Sequence, residues 1–181
     1  MKTENHGAGR SSLMNVGRRV DYAVRALSYL AGQPTGKIIS RVDIEEKQGI
    51  PPSYLSKIMK DLVAGGLVES HIGSKGGFSL ARSPQAISLK EVYETVERPL
   101  VLMDCLQQGE KYCSYCGVCT QRSVWGDLQT LVADYLGKVS IRDIADPRGL
   151  KRPLAARQAI SAQGVAWNVG YQKPARENRG R

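Results

Sequence analysis

The sequence predicts a mainly α-helical protein with a small β-hairpin: a winged helix-turn-helix domain followed by a long C-terminal dimerisation helix. Three observations predict this fold class. Apolar residues recur at helical spacing in several capped segments, two alternating runs flank a glycine-rich turn, and a heptad-like seam follows the cysteines. The 181 residues suffice for one domain with an added helix and tails.

The first two helices have clear start and stop signals. The first begins near Arg18 and ends at Gly32, and its apolar positions follow the spacing of one helix face. These positions are Val20, Ala23, Val24, Leu27, Leu30 and Ala31. The second helix is short: Ser40 caps it, Asp43 follows at the third position, and Gly49 stops it.

The third helix and the stretch after it predict a winged arrangement. The helix begins at Pro51 and ends at Gly65, and its inner face carries Leu55, Ile58, Met59 and Leu62. Because only a tight turn at Gly49 separates it from the second helix, the pair forms a helix-turn-helix. Alternating apolar and polar residues on both sides of residues 73–77 then indicate an antiparallel hairpin, which is the wing.

Further helices are predicted after the wing. Ser88 and Glu91 form a capping box that opens a fourth helix, and Thr120 is expected to cap a long helix after the cysteines. That helix has a seam with heptad spacing, formed by Trp125, Leu128, Val132 and Tyr135. One helix cannot bury such a seam alone, which favours a homodimer. Ser140 caps a last short helix.

The chain divides into five predicted parts. They are a flexible N-terminal arm (1–17), the winged helix-turn-helix domain (18–97), a cysteine loop (98–119), the dimerisation helix with a short final helix (120–146), and a basic, disordered tail (147–181). Most of the formal net charge of +9 lies at the two ends. Basic ends on a near-neutral body fit a polyanion such as DNA, with solubility as the alternative reading.

The third helix and the wing carry the candidate DNA contacts. In a helix-turn-helix the second helix lies in the major groove, with its N-terminal residues at base edges. The candidates on its open face are Ser53, Tyr54, Ser56, Lys57 and Lys60. The wing candidates are Gly73, Ser74, Lys75, Gly76 and Gly77, and phosphate contacts are expected from Arg18 and Arg19. The alternatives are a solvated helix face and an ordinary hairpin loop.

All four cysteines lie in one hydrophilic segment with the spacing C-x7-C-x2-C-x2-C; they are Cys105, Cys113, Cys116 and Cys119. Structural cysteines would be scattered along apolar faces, so this crowding indicates a bound group. Three cysteines at x2 spacing resemble the run of bacterial ferredoxins, with Cys105 as fourth ligand. This favours an iron–sulfur cluster, a 4Fe–4S form before a 2Fe–2S form. A zinc ion held by four thiolates and a bare thiol switch are the rivals.

Other classes of protein fit less well. The chain has no long apolar run and no secretory signal at its start, so we expect a cytoplasmic protein with no membrane partner. In that compartment thiols stay reduced, which favours metal binding over disulfides. The two histidines lie in no recognisable catalytic motif, so an enzyme is not expected.

Several stretches resemble the Rrf2 family of bacterial winged-helix transcriptional regulators, of the IscR and NsrR type. They are RRVDYAVRALSYLA, DIEEKQGIPPSYLSKIMKDLVAGGLVES, GSKGGFSLAR and ISLKEVYETVE, followed by the cysteines and the long helix. The resemblance covers residues 16–146. It implies a homodimer that binds a pseudo-palindromic operator in double-stranded DNA, with contacts at Ser53, Tyr54, Lys57 and the 73–77 wing.

The resemblance also implies a sensor of redox, iron, nitric oxide or iron–sulfur status that acts through the cluster. Two features depart from the family pattern: members usually carry three cysteines with a different fourth ligand, and many have arginine where Ile72 stands. Because the cysteine loop joins the Ser88 helix to the Thr120 helix, loss or oxidation of the cluster is expected to change the spacing of the recognition helices. The rival functions are a zinc-stapled or thiol-redox regulator and, third, a small iron–sulfur electron carrier.

Overall fold

The structure is a computed structural model that describes residues 16–73, 76–97 and 99–146. The helices are α1 (Arg18–Ala31), α2 (Arg41–Gln48), α3 (Pro52–Ala64), α4 (Leu89–Val96), α5 (Asp104–Gln108), α6 (Gln121–Lys138) and α7 (Ile141–Ala145). Strands β1 (Val68–His71) and β2 (Gly77–Leu80) form one antiparallel sheet. The predicted fold class is confirmed. Nearly all of the predicted arm and the whole predicted tail lie outside the described residues.

The core is built around α1. Ala23, Ala26 and Leu27 are completely buried, and the helix packs against α2, α3, α4, α7 and β2. The predicted stripe of α1 is buried except for Val24, which is partly exposed. Small residues at 23 and 26 let neighbouring helices approach closely, while Leu27 fills the space between them.

The helix-turn-helix forms from the predicted local signals. The Ser40 hydroxyl accepts a hydrogen bond from the Asp43 amide at 3.1 Å, and α2 ends where Gly49 adopts φ +60°. A residue with a Cβ is disfavoured in that left-handed conformation, so the glycine ends α2 at this residue. The four predicted inner residues of α3 are all buried, which leaves the opposite face of α3 in solvent.

The wing pairs Val68 with Leu80 at its base and His71 with Gly77 toward its tip. A further segment, which the sequence did not indicate, joins it: the Ile39 amide donates to Phe78 O at 2.9 Å, and the Phe78 amide donates to Ile39 O at 2.8 Å. A Cβ at residue 77 would collide with the Ile39 carbonyl, so Gly77 is needed for this close approach. Ser74 and Lys75 lie outside the described residues.

Three local expectations differ from the structure. The Ser88 hydroxyl accepts from the Glu91 amide, but the Glu91 carboxylate pairs with Arg82, so only half of that capping box forms. Thr120 precedes α6 without a side-chain capping bond. The cysteine loop is not wholly irregular, because it contains α5 and a 3-10 turn at Gly109–Lys111.

The short final helix α7 packs on α1 and belongs to the core of the winged domain, although the sequence grouped it with the dimerisation helix. A full capping box starts it, between Ser140 and Asp143. The Ile141 amide donates to Ile87 O at 2.9 Å, and the Ile141 side chain is fully buried. The chain after α6 therefore returns to the domain that precedes the cysteines.

We expect Ile141→Ala to lower the free energy of unfolding by about 2–5 kcal/mol, because it leaves a cavity between α7 and α1. Urea denaturation followed by circular dichroism measures this change. Arg142→Ala, on the exposed side of the same helix, is the matched control and should stay within about 0.5 kcal/mol of the wild type. Equal, small effects of the two substitutions would contradict the placement of α7 in the core.

Candidate functional site

The exposed face of α3 borders an open groove of about 570 Å³. Four of the DNA contacts predicted on α3 line it: Ser53, Tyr54, Lys57 and Lys60. Neither lysine takes part in the ion pairs found among the described residues. Both ammonium groups are therefore available to an anion that enters the groove.

Arg19 and Asp61 form the far wall of this groove. Arg19 Nη2 lies 2.6 Å from Asp61 Oδ2, and this ion pair ties the start of α1 to α3. Both side chains are well exposed, so the pair contributes only about 0–1 kcal/mol to stability. Asp61 partly neutralises Arg19, one of the two arginines predicted to contact phosphates, while Arg18 is simply exposed.

Tyr54 is held from behind by α1. Its ring meets that of Tyr22 edge to face, with 5.7 Å between the centroids, and the Arg25 guanidinium lies 5.7 Å from the Tyr22 ring centroid. Arg25 is fixed in turn by Asp21 at 2.8 Å. Such contacts restrict the Tyr54 ring, although the residue as a whole is 42% exposed.

Arg41, at the first position of α2, also reaches the recognition face, and sequence reasoning missed it. Its Nη1 donates to Ser56 Oγ at 3.1 Å, and its Nε lies 2.9 Å from Glu45 Oε1. Helical periodicity describes each helix separately, so it gave no sign of this contact between α2 and α3. The sequence offered one indication of this contact: Arg41 directly follows Ser40, the serine that caps the first helix of the pair.

The wing places Ile72 and Gly73 at its exposed end. The Ile72 side chain is fully exposed, next to Gly73 at φ +127°. Below them His71 Nε2 and Ser79 Oγ are 2.8 Å apart, and Ser79 is buried. Gly76 folds back tightly, because its amide donates to Gly73 O at 2.9 Å. The turn itself therefore explains the glycines at residues 73 and 76, whether or not they also contact DNA.

The four cysteines follow one another through short turns between α4 and α6. Cys105 lies in α5, the Cys113 amide donates to Gly109 O at 3.2 Å, and the Cys116 amide donates to Cys113 O at 3.2 Å. Cys119 O accepts from the Arg122 amide at 3.3 Å, where α6 begins. The bond between Cys113 and Cys116 closes one turn, which keeps these two cysteines close along the chain.

Two of these cysteines are buried. Cys105 is 7% exposed and Cys116 is 9% exposed, and Cys116 Sγ lies 4.0 Å from Cys105 O. Burial raises the pKa of the Cys116 thiol, and the neighbouring Cys113 and Cys105 raise it further, while Arg122 acts in the opposite direction. Cys116 therefore lies near Cys105 in space and shares a turn with Cys113.

Asp104 at the start of α5 influences Tyr112, which follows the 3-10 turn. The Asp104 carboxylate raises the pKa of the Tyr112 hydroxyl, mainly through its charge and then through the hydrogen bond it accepts. On the other side, Gln129 Oε1 in α6 accepts from the Leu102 amide at 3.0 Å. The cysteine loop is thereby attached to α6.

The donor set of the loop is entirely thiol, which suits an iron–sulfur cluster or zinc. In the described ranges, no three His, Cys, Asp or Glu side chains are grouped closely enough to coordinate one metal ion. A zinc ion needs four sulfurs at about 2.3 Å from a single point. Each cysteine of a four-iron cluster instead binds a different iron, so its sulfurs stand further apart.

Helix α6 presents an apolar stripe to solvent. Its members are Val124, Trp125, Leu128, Leu131 and Tyr135, and Val124 and Leu131 are 65% and 59% exposed. Three of the four predicted seam residues belong to this stripe, whereas Val132 is half-buried at its edge. The prediction missed Val124, although residues 124, 128, 131 and 135 also follow heptad spacing. The other side of α6 packs on α4 and α5.

A winged helix-turn-helix with an exposed, cationic recognition face defines a DNA-binding regulator. Comparison with known proteins gives the particular family: a profile of the Rrf2 family, described as "Iron-dependent Transcriptional regulator", matches residues 16–147. The chain belongs to the Rrf2 family of transcriptional regulators. Family members bind DNA and are not enzymes, so the expectation of a regulator is confirmed. No helix in the described part of the chain could span a membrane.

Three relatives illustrate the match. An HTH-type transcriptional regulator of Azotobacter vinelandii (ORF2) is 35% identical over 123 residues, which is 68% of this chain and 74% of the relative. IscR of Xenorhabdus nematophila is 32% identical over the same shares. NsrR of Bacillus licheniformis is 26% identical over 72% of this chain and 92% of its own.

Solved structures agree on the fold. CymR of B. subtilis, described as its global cysteine regulator, superposes with a TM-score of 0.61 at 22% identity, over 74% of this chain and 97% of CymR. IscR of T. potens superposes with a TM-score of 0.57 at 24% identity, over 84% and 93% of the two chains. At these identities the likeness establishes the winged-helix architecture.

The ion pair between Arg19 and Asp61 predicts that removing the Asp61 carboxylate increases the affinity for DNA. Asp61→Asn should tighten binding to a nonspecific DNA duplex a few-fold and steepen the salt dependence by about one counterion, because Arg19 becomes free to contact phosphate. Fluorescence anisotropy over a range of salt concentrations measures both quantities.

Glu94→Gln is the control for Asp61→Asn, since it removes an acidic group that pairs with Lys90 on α4 at 4.0 Å, away from the groove. It changes the net charge equally and should leave the salt dependence almost unchanged. Equal effects of the two variants would show that Arg19 and Asp61 do not border the DNA.

Proposed function

We propose that this protein is a homodimeric regulator that binds a pseudo-palindromic operator and senses redox, iron or nitric oxide status through an iron–sulfur cluster. Cys105, Cys113, Cys116 and Cys119 are its ligands. The observation that carries this proposal is that all four cysteines lie in one loop between the DNA-binding domain and α6, and that Cys105 and Cys116 are buried there. Family membership supports it, because the family is described as iron-dependent.

The recognition helix supplies the DNA-binding part of the proposal. Its open face offers Lys57 and Lys60 for phosphates, and the hydroxyls of Ser53, Tyr54 and Ser56 for bases. The wing offers exposed backbone at Gly73 and partly exposed backbone at Gly76. The predicted contact Lys75 lies in the segment outside the described residues. Two copies of this surface, related by a two-fold axis, would read two half-sites.

The protein's part in cluster binding is to supply four thiolates from a loop that already contains several hydrogen-bonded turns. Burial and thiol neighbours raise the pKa of Cys116, which favours the protonated thiol. Because a metal binds the thiolate, this proton must leave when the cluster binds. When bound, the cluster supplies a redox-active group that oxidants and nitric oxide attack. The four-iron form is favoured because all four ligands are cysteines and three have the ferredoxin-like spacing.

Packing around the loop supports a route from the cluster to the recognition helix. The loop contacts α6 through Gln129 and through Leu106, which lies beside Gly126. Helix α6 packs on α4, and α4 packs on α3. At that last contact a Cβ on Gly65 would lie 2.6 Å from Thr95 Cγ2, so the glycine lets the end of α3 approach α4 closely.

One observation favours a second candidate function, a thiol switch without metal. The Cys116 amide donates to Cys113 O, so the two cysteines share one turn, and oxidation could join their thiols in a disulfide. Such a regulator would sense oxidants directly. Its loop would respond to thiol reagents without losing any metal.

Anaerobic purification, followed by iron, sulfide and zinc analysis and absorption spectroscopy, tests the cluster. We expect a brown protein with about four irons and four sulfides per chain. Cys105→Ser, Cys113→Ser, Cys116→Ser and Cys119→Ser should each lose most of the iron. Ser114→Ala, in the same loop, is the matched control and should keep the cluster.

The other outcomes of the metal analysis distinguish the rival functions. A colourless protein with one zinc per chain would refute the cluster and identify a zinc-stapled regulator. A metal-free protein whose DNA binding changes on oxidation, and recovers with a thiol reductant, would identify the thiol switch. Absence of sequence preference in DNA binding at physiological salt would refute the operator-binding regulator itself.

The exposed stripe of α6 supports the homodimer. Burying five such side chains against a second copy would remove a large apolar area from water, at about 25 cal/mol per Å². A seam of this kind is self-complementary when two α6 helices pack around a two-fold axis. We therefore assign Val124 and Leu131 to the interface together with Trp125, Leu128, Val132 and Tyr135.

Leu128→Glu should convert the dimer to a monomer, since it places a charge at the centre of the proposed seam. Size-exclusion chromatography with light scattering measures the mass, and operator affinity should fall with it. Thr130→Glu places the same charge on an exposed position away from the stripe and should leave the dimer intact. A Leu128→Glu protein that remains dimeric would exclude this face of α6 as the interface.

A further inference from the structure

The hydrogen bond between Arg41 and Ser56 links the two helices of the helix-turn-helix on the side that faces DNA in the proposed function. Arg41 begins α2, and Ser56 lies in the second turn of α3 among the predicted base-reading residues. Arg41 Nη1 donates to Ser56 Oγ at 3.1 Å. The contact joins residues 15 positions apart, so it depends on how the two helices pack.

The hydrogen bonds that Ser56 already makes determine which donor or acceptor positions of its hydroxyl remain for a base. A hydroxyl has one hydrogen to donate and two positions at which it accepts. Ser56 Oγ donates its hydrogen to Pro52 O at 2.9 Å and accepts from Arg41. One accepting position remains, and the side chain is exposed.

Arg41 also pairs with an acidic group on its own helix, although its side chain is 52% exposed. Its Nε lies 2.9 Å from Glu45 Oε1, one turn along α2, and the Glu45 side chain is only 13% exposed. A cation that donates to a hydroxyl oxygen also strengthens the bond that the hydroxyl donates onward. Arg41 therefore stabilises the bond from Ser56 to Pro52 and opposes rotation of the Ser56 hydrogen toward DNA.

We infer that Arg41 is a positioning residue that keeps Ser56 as a pure hydrogen-bond acceptor, so that Ser56 selects a base with an exposed amino group. This inference rests on the proposed function and names the base chemistry that the recognition helix prefers. In the major groove, adenine N6 and cytosine N4 carry amino donors, whereas guanine O6 and N7 and thymine O4 are acceptors. Ser56 then favours adenine or cytosine at one position of each half-site.

The experiment selects duplexes from a randomised DNA library with the full-length protein and then measures affinity for the selected site and its single base-pair replacements. The wild type should prefer an amino-bearing base at one position per half-site. Arg41→Ala should reduce that preference about three- to tenfold, the value of one hydrogen bond. Arg41→Lys keeps the charge but cannot reproduce the forked geometry, so it should relax the same position.

Ser56→Ala removes the proposed acceptor and should abolish the preference at that position. Adding Arg41→Ala to Ser56→Ala should then change base preference no further. A merely structural role for Arg41 would instead weaken binding to all duplexes equally and leave the preference ratio unchanged. Thermal melting of each variant identifies such a loss of fold.

Three results decide the matter. The same base preference in Arg41→Ala as in the wild type would overturn the inference. So would a further change of preference when Arg41→Ala is added to Ser56→Ala, because Arg41 would then read the base itself. A wild-type protein that selects no sequence would refute the proposed operator binding, which is a distinct failure from either of these.

Discussion

The structure depends on the burial of one face of α1. Ala23, Ala26 and Leu27 are inaccessible to solvent, and four helices and a strand pack against this helix. Replacing such a buried leucine with alanine would lower the free energy of unfolding by several kilocalories per mole. The recognition helix, the wing and the final helix take their positions from this one packed surface.

The second half of the chain obeys a different constraint. Helix α6 has no buried residue, and its apolar stripe lies in solvent in the single chain. A large exposed apolar patch on a soluble protein marks an interaction site. The cysteine loop lies where the packed domain meets this unpartnered helix, so a group bound there would affect both the DNA-binding core and the proposed dimer contact.

Local signals in the sequence were strong for the winged domain. Ser40 with Asp43, the left-handed Gly49 and the periodic apolar residues of α1 and α3 each depend on neighbours within a turn or two, and each appears in the structure as expected. The expected capping box at Ser88 was only half formed, because Arg82, from outside the helix, competes for the Glu91 carboxylate. A distant partner thus overrode a local preference.

The amino-acid sequence by itself determined the order of helices, the hairpin, the cysteine spacing and the family. These features rest on residues close together along the chain or on a pattern of residue types. Only the tertiary structure decided that α7 returns to α1, that Arg19 meets Asp61 across 42 residues, and that Arg41 holds Ser56. Such contacts depend on the angle and distance between packed helices, which no local pattern encodes.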